Sequence, residues 1–284
     1  MLTRTFLHLP AIGPARERRY WEDGVLSWEH LLQDRDLFDD GPPPPLAEAL
    51  ARSRAKLAAG DARWFEEHLG TAQAWRMARE FDDGRIAYLD IETDGTPGDR
   101  PAKGAEAPGG TTVAAVWDGL EARVFLRDRN LPELPAYLAR YPVLCTFNGK
   151  AFDIPYLEGC FGKGFFPGAQ LDLRPITRAV GLTGGLKKIE QQVGIQRPRM
   201  IRNYSGYDAV KLWSAYRRGR KDALEPLARY NLADAVNLQA LLREAYNQAV
   251  AQDALPFRRF DTREEGGTAE AVERAIALLT KTTV

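Results

Sequence analysis

The sequence predicts an α/β fold in which helices flank a mixed β-sheet. Two observations support this class. From Ile86 to about Asp128, three strand-like runs follow one another, which predicts an antiparallel meander. Further along, short apolar runs alternate with amphipathic segments, as they do when helices join the strands of a parallel sheet. We therefore expect a three-strand meander followed by βα units, with a helical N-terminal segment before it.

The chain length allows for one large domain or about two small ones, since it has 284 residues. We divide the chain into a helical N-terminal segment over residues 1–80, a sheet domain over 81–250, and a C-terminal helix and tail over 251–284. In the N-terminal segment, the run GPPPPL separates the helix-like SWEHLLQD from the amphipathic LAEALARSRAKLA.

The strands can be justified in order. The run RIAYLDIE contains four consecutive apolar residues, which is typical of a strand covered on both faces. TTVAAVWDG and EARVFLRD follow, joined at Asp118-Gly119, a favoured hairpin pair. A helix over about 131–140, the strand PVLCTFN, a helix from about 153 and the short strand AQLDLR then precede a helical remainder.

The stretch between the first two strands, residues 94–110, reads DGTPGDRPAKGAEAPGG. It is too rich in Gly and Pro for a helix or strand, so we predict a loop. Because it begins close to Asp90 and Glu92, it could cover a site formed there. A surface insertion without a role in the site is the alternative.

The charge of the chain is balanced, with 39 basic and 39 acidic residues and a pI near 6.9. No overall field attracts it to nucleic acid or membrane, so a site for a polyanion must be a local patch. No stretch approaches the roughly 20 apolar residues of a membrane span, and the N-terminus lacks an apolar signal region. We expect a cytoplasmic protein with no membrane partner. Cys145 and Cys160 form neither a disulfide framework nor a four-ligand zinc site.

Two carboxylates end the first strand. Since side chains alternate along a strand, Asp90 and Glu92 share one face while Ile91 points to the other. Like charges at this separation repel each other, so a compensating group is required.

Two further acids stand at informative positions. Asp153 follows a strand and a turn at the start of a helix, where an N-cap is the simplest alternative role. Asp234 interrupts the apolar stripe of a strongly periodic helix, formed by Leu227, Tyr230, Leu238 and Leu241. An unpaired carboxylate in that stripe would cost several kcal/mol. Either a metal ion or an arginine from another segment must therefore compensate it.

These acids can meet at one place. In an α/β sheet, the ends of neighbouring parallel strands and a covering helix converge on one edge. Four negative charges match two divalent cations, and oxygen ligands select hard ions such as Mg²⁺ or Mn²⁺.

Three motifs carry a family resemblance. LDIET, FNGKAFDIP and YNLADAVNL resemble the exonuclease motifs of the DnaQ-like, or DEDD, superfamily. FLHLPAIG, WEDGVLSW and GLKKIEQQVGIQR add a similarity to the YprB-like ribonuclease-H-like proteins, and together these motifs cover most of residues 5–245. The resemblance implies a ribonuclease-H-like sheet. It also implies a metal-dependent 3′–5′ exonuclease that cuts DNA or RNA by a two-metal mechanism.

Site residues follow from this resemblance. It implies that the metal ligands, Mg²⁺ or Mn²⁺ being the ions, are Asp90, Glu92, Asp153 and Asp234. Tyr230, four residues before Asp234, resembles the tyrosine of the DEDDy subgroup that orients the attacking water; a core aromatic is the alternative.

One departure concerns the third motif. Many YprB-like proteins carry His-Asn where this chain has Tyr230-Asn231. The histidines, His8, His30 and His68, all lie far upstream, so we do not expect a histidine base.

The expected partner is nucleic acid that is single-stranded or has a free 3′ end. Basic residues that could contact phosphates are Lys187, Lys188, Arg197, Arg199 and Arg202, together with RRGRK at 217–221. Phe152 and Phe147 could stack on a base or belong to the core. Thr93 and Asn148, which stand in the first two motifs, are further candidates for substrate contacts.

Two alternative functions remain at this stage. One is a structure-specific endonuclease that uses the same site. The other is a catalytically inactive nucleic-acid-binding module. The four acids argue against the second, because a binding module has no use for uncompensated carboxylates beside phosphate.

Overall fold

A computed structural model of the chain describes residues 2–34, 37–38, 41–96, 110–261, 272–273 and 277. Its strands are β1 (Ile86–Thr93), β2 (Thr111–Trp117), β3 (Ala122–Leu126), β4 (Val143–Thr146) and β5 (Ala169–Asp172). They form one five-stranded sheet in the order β3-β2-β1-β4-β5. β1 pairs antiparallel with β2 and β2 with β3, whereas β1–β4 and β4–β5 are parallel. The predicted mixed sheet, a meander followed by βα units, is confirmed.

The α-helices within the described ranges are α1 (Pro14–Glu22), α2 (Trp28–Gln33), α3 (Pro44–Ala58), α4 (Ala62–Leu69), α5 (Ala78–Phe81), α6 (Leu134–Leu138), α7 (Asp153–Phe161), α8 (Leu173–Ala179), α9 (Leu186–Gln192), α10 (Gly206–Arg217) and α11 (Leu224–Gln252). α11 runs across β1 and β2, while α6 and α7 cover the opposite face of the sheet.

Strand β1 is covered on both faces, as its apolar run predicts. Tyr88 belongs to the core between the sheet and α11, whereas Ala87 and Leu89 belong to the core beneath α6 and α7. Because side chains alternate along β1, Asp90 and Glu92 continue the Tyr88 face and point toward α11. The sheet therefore presents both acids to the helix that carries Asp234.

The N-terminal helices pack into the same core as α11. Leu2, Trp28 and Phe65 are fully or almost fully buried, together with Tyr246 of α11. Helix α3 begins at Pro44, inside the proline run, because a proline has no N–H to lose in the first turn of a helix. The division at residue 80 stays a prediction. Residues 97–109 of the predicted loop and most of the predicted C-terminal segment lie outside the described residues.

Candidate functional site

The acids predicted from the sequence come together at the carboxyl end of β1. Carboxylate oxygens of Asp90, Glu92 and Asp234 all lie within 4.8 Å of one another. Asp153, the first residue of α7, joins them from the opposite side, since its Oδ1 accepts a hydrogen bond of 3.3 Å from the backbone N–H of Ile91. We call these four residues the acid cluster.

A tight turn after β4 brings Asp153 to this position. Asn148 adopts a left-handed conformation with φ 63°. At Gly149 a Cβ would lie 2.1 Å from Oγ1 of Thr146, so only glycine fits. The carboxylate of Asp172 accepts hydrogen bonds from the backbone N–H groups of Asn148 and Lys150, at 2.7 and 3.2 Å. The turn formed by the FNGK motif is therefore hydrogen-bonded to Asp172, the last residue of β5.

The acid cluster holds more negative charge than its surroundings neutralise. Burial raises the pKa of Asp90 well above its usual range, and the charges of Asp234, Asp153 and Glu92 raise it further. The pKa of Glu92 is raised for the same reasons, burial being the largest. Burial also raises the pKa of Asp153, to about 7. A group of carboxylates that resists ionisation in this way favours any cation that can bind among them.

Asn231 is a site residue that the sequence analysis did not single out as a contact. It is fully buried, and its Nδ2 donates a hydrogen bond of 2.7 Å to Oδ2 of Asp90. Its own Oδ1 has no hydrogen-bond partner within the described residues. In the sequence, Asn231 is part of the motif YNLAD and follows Tyr230, which was the available signal. The contact with Asp90 depends on how α11 packs on β1.

The prediction that Arg197 contacts phosphate is wrong for this structure. Arg197 is only 6% exposed, and its guanidinium donates to Oδ1 of Asp234 and to both oxygens of Glu190, the latter at 2.5 and 2.7 Å. The alternative of an arginine partner for Asp234 is therefore confirmed. Even so, burial outweighs this partner and raises the pKa of Asp234. The same carboxylate also lies close to those of Asp90 and Glu92, so its role as a metal ligand stays a prediction.

Glu190 and Asn237 complete a ring of hydrogen bonds around Arg197. Nδ2 of Asn237 donates to Oε1 of Glu190 at 3.0 Å. Asn237 lies three residues after Asp234 on α11. The hydrogen bonds therefore run from Asp234 through Arg197 and Glu190 to Asn237, one turn further along the same helix. This ring limits the orientations open to the Asp234 carboxylate.

Tyr230 lies beside the acid cluster on α11 and is 5% exposed. Burial, followed by the charges of Asp234, Glu92 and Asp90, raises its pKa far above the usual range. Nζ of Lys187 stands 4.5 Å from the centre of the tyrosine ring. Burial lowers the pKa of Lys187, while the nearby acids partly offset that effect. Lys187 is half-buried next to the cluster, and it is not among the residues that line the cavity beside Asp90 and Asp153.

A cavity of about 620 Å³ opens beside Asp90 and Asp153. Of the predicted substrate-binding residues, Asn148 and Phe152 line it, as does Phe147. Two arginines of α8 that the sequence analysis did not select also line it, namely Arg174 and Arg178. The remainder of its wall comes from Ile91, Thr177, Leu182, Thr183, Gly184, Gly185 and Ile189.

The other predicted substrate residues lie outside this cavity wall. Thr93 ends β1, and its Oγ1 accepts a long bond of 3.4 Å from the N–H of Gly95. Arg199 and Arg202 are exposed on the segment between α9 and α10. In the basic run 217–221, Arg217 pairs with Asp128 and Arg220 with Asp222, at 2.6 and 2.8 Å.

The donor set fits divalent metal ions. It consists of carboxylate oxygens, the ligands that Mg²⁺ and Mn²⁺ prefer, and oxygens of three of the carboxylates already lie within 4.8 Å of one another. The excess negative charge of the cluster is the second feature in favour of cation binding.

Comparison with known proteins identifies the family. No curated protein matches the chain. Within the described residues, no helix has the length and apolarity needed to cross a membrane. The family model RNase_H_2, described as RNase_H superfamily, matches residues 87–246 and so covers more than half of the chain. The matched range includes the sheet from Ala87 onward, the acid cluster and most of α11. The chain therefore belongs to the RNase H superfamily.

Proposed function

We propose that this protein is a metal-dependent 3′–5′ exonuclease of the two-metal, DEDDy type that hydrolyses phosphodiester bonds of DNA or RNA. Membership of the RNase H superfamily supports a nuclease in general. The observation that carries the proposal is the convergence of Asp90, Glu92 and Asp234, with Asp153 one hydrogen bond away on Ile91.

The four carboxylates of the acid cluster would hold two divalent cations, Mg²⁺ or Mn²⁺. When bound, such ions lower the pKa of a water molecule and stabilise the leaving oxygen of an in-line displacement at phosphorus. Two contacts prepare the ligands for this role: Asn231 orients Asp90, and Arg197 orients Asp234. Contacts of this kind typically change metal affinity or activity by about 10–100-fold.

Tyr230 would orient the attacking water by a hydrogen bond. Its raised pKa keeps the hydroxyl protonated at neutral pH, so it is unsuited to act as a base. The direction of attack, from the 3′ end, is supported by the order and content of the motifs LDIET, FNGKAFDIP and YNLADAVNL.

The test uses the purified chain with end-labelled single-stranded and double-stranded DNA and RNA, in Mg²⁺, in Mn²⁺ or in EDTA. We expect stepwise shortening from the 3′ end that requires Mg²⁺ or Mn²⁺ and stops at a blocked 3′ end. Efficient cutting of a circular strand would favour the endonuclease instead. Binding without cleavage in either metal would favour the inactive binding module.

A further inference from the structure

The cavity beside the acid cluster has a basic wall that the proposed function does not yet use. Arg174 and Arg178 stand four residues apart on α8, so they share one face of the helix, separated by about 6 Å along its axis. Both are exposed and both line the cavity of about 620 Å³ that contains Asp90 and Asp153. The cavity therefore carries acids at one side and arginines at another.

These two arginines are available for an anion. The Arg178 guanidinium has neither a hydrogen bond nor an ion pair within the described residues. Arg174 uses one N–H, from Nη1, to donate to Oδ1 of Asn148 at 2.7 Å. A guanidinium has five N–H donors, so most of those on Arg174 remain open. By contrast, Arg197 is buried with both Glu190 and Asp234 on its guanidinium.

The wall is held in place before any ligand arrives. Asp172 caps the N-terminus of α8 by accepting from the N–H of Arg174 at 3.0 Å, and it also accepts from the N–H of Asn148. The Arg174–Asn148 bond adds a side-chain link between α8 and the FNGK turn. Since that turn leads into Phe152 and Asp153, helix α8 and the acid cluster have a fixed spacing.

An exposed aromatic ring lines the cavity that borders the acids. Phe152 is 40% exposed, which is unusual for a large apolar side chain, and it lines the cavity. Its ring lies 4.8 Å, centre to centre, from that of Tyr156. Rings exposed beside a basic groove stack on unpaired bases, whereas a base within a duplex is already stacked on its neighbours. Phe152 therefore favours a single strand.

A second cavity borders Arg178. This residue also lines a second cavity of about 590 Å³, whose wall includes Val180 and, from α11, Gln248 and Gln252. Arg178 thus borders both cavities. A strand with its end at the acid cluster would pass Arg178 and continue into this second cavity.

We propose that these two cavities form the path of a single nucleic-acid strand, with Arg174 and Arg178 on its phosphates and Phe152 against an unpaired base near the acid cluster. This inference rests on the proposed function, and it assigns the phosphate contacts to α8 instead of the segment 197–202. It also implies that the substrate is single-stranded where it contacts the site.

The test measures binding by fluorescence anisotropy of a labelled single strand, in Mg²⁺, on an Asp90→Ala background that prevents cleavage. Adding Arg178→Gln should weaken binding about tenfold, since a hydrogen bond to a charged group is lost. It should also flatten the slope of log affinity against log salt by about 0.7, as one phosphate contact on a single strand would. Arg199→Gln, an exposed arginine outside the cavity, is the matched control and should change neither quantity.

Phe152→Ala separates base stacking from charge. It should weaken single-strand binding by about tenfold, as loss of one stacked base does, and leave the salt slope unchanged. Binding of a blunt duplex should be weaker than that of the strand and insensitive to Phe152→Ala. Melting temperatures of Arg178→Gln and Arg199→Gln should equal that of the parent, because both side chains are exposed.

Equal affinity of the Arg178→Gln protein and its parent would overturn the inference, as would a loss confined to Arg199→Gln. Tighter binding of the duplex than of the single strand would overturn it too. If the unsubstituted protein cuts nucleic acid in Mg²⁺ while Arg178→Gln binds normally, the inference alone fails. If the unsubstituted protein neither binds nor cuts any strand, the proposed function fails with it.

Discussion

Two buried groups of charged side chains in this protein differ in their balance of charge. In the N-terminal region, Glu17 is 1% exposed and Arg76 6% exposed, and they form an ion pair of 2.8 Å. Oε1 of Glu17 also accepts from Oγ1 of Thr5 and from the N–H of Phe6, both at 2.7 Å. Each negative oxygen of Glu17 thus has donors, and one positive charge matches one negative charge.

The acid cluster, in which Asp90 is partly exposed and the other three acids are buried, is not balanced. Of its four carboxylates, that of Asp234 accepts from the Arg197 guanidinium, which Glu190 also holds. The pKa values of Asp90, Glu92 and Asp153 are raised, burial being the largest cause for each. The difference shows that the burial of charged side chains does not by itself indicate a functional site. A surplus of one sign does, because folding gains nothing from it unless a ligand supplies the opposite charge.

The largest effect we expect is the loss of activity on removing one acid of the cluster. Asp90→Ala or Asp153→Ala should reduce nuclease activity to background, because each removes a carboxylate that holds the metal ions. EDTA should do the same to the unsubstituted protein. Cleavage of a labelled strand is the measurement. If activity survives in EDTA or in both variants, the acid cluster is not the catalytic centre.

The balanced pair should show the reverse behaviour. Glu17→Gln leaves the Arg76 charge buried without its partner, which typically costs about 3–5 kcal/mol of unfolding free energy. Urea unfolding measures this loss, with Glu22→Gln as the control because Glu22 is exposed on the same helix. The folded Glu17→Gln protein should keep its activity per molecule. A selective loss of activity at full stability would place Glu17 in the functional machinery.

The size of a stability change distinguishes members of the cluster. Asp90→Asn removes a surplus charge and can still accept the Asn231 hydrogen bond, so the metal-free protein should melt at the same or a higher temperature. A gain of 1 kcal/mol would appear as about 2–4 °C. Asp234→Asn should raise the melting temperature less, because it also removes the charge that faces Arg197 and partly offsets the burial of Asp234. Equal shifts for both variants would show that Arg197 does not distinguish the two carboxylates.

The Tyr230→Phe variant tests whether Tyr230, a neutral residue beside the acid cluster, contributes to catalysis. Tyr230→Phe keeps the ring packed against Lys187 and Tyr204 while it removes the hydroxyl. We expect kcat to fall by about tenfold or more, with stability nearly unchanged, as for a positioned catalytic group. Tyr204→Phe, whose ring centre is 6.2 Å from that of Tyr230, is the control. Normal turnover by Tyr230→Phe would make Tyr230 a core aromatic.

The smallest effect we expect is the change in the stability of the metal-free protein for each unit of pH. The pKa of Asp153 is raised from 3.8 to about 7, so between these values the folded form binds a proton that the unfolded form has lost. The contribution of Asp153 to stability should therefore fall as the pH rises from about 4 to about 7 and level off above that, with a slope of at most about 1.4 kcal/mol per pH unit for one proton. Asp153→Asn should make the slope shallower. A stability that rises with pH over this range would contradict the raised pKa.

Local sequence patterns predicted the sheet and the convergence of the acids. The period of two places Asp90 and Glu92 on one face, and the helical stripe places Asp234 toward the core. Arg197 could not be predicted as a partner of Asp234, because 37 residues separate them and the pairing depends on how α9 packs against α11. For the same reason Arg197 was predicted as a phosphate contact, whereas Arg174 and Arg178, on a short helix with no basic run, gave no signal.

Calorimetric titration of Mn²⁺ into the metal-free protein tests the central claim most directly, namely that the surplus of carboxylates is a metal site. We expect saturable binding to the unsubstituted protein and to Glu17→Gln, and no saturable binding to the double variant Asp90→Asn/Glu92→Gln. That double variant keeps the shape of both side chains while it removes two charges from the cluster. Equal binding by all three proteins, or no binding to the unsubstituted protein, would contradict the account.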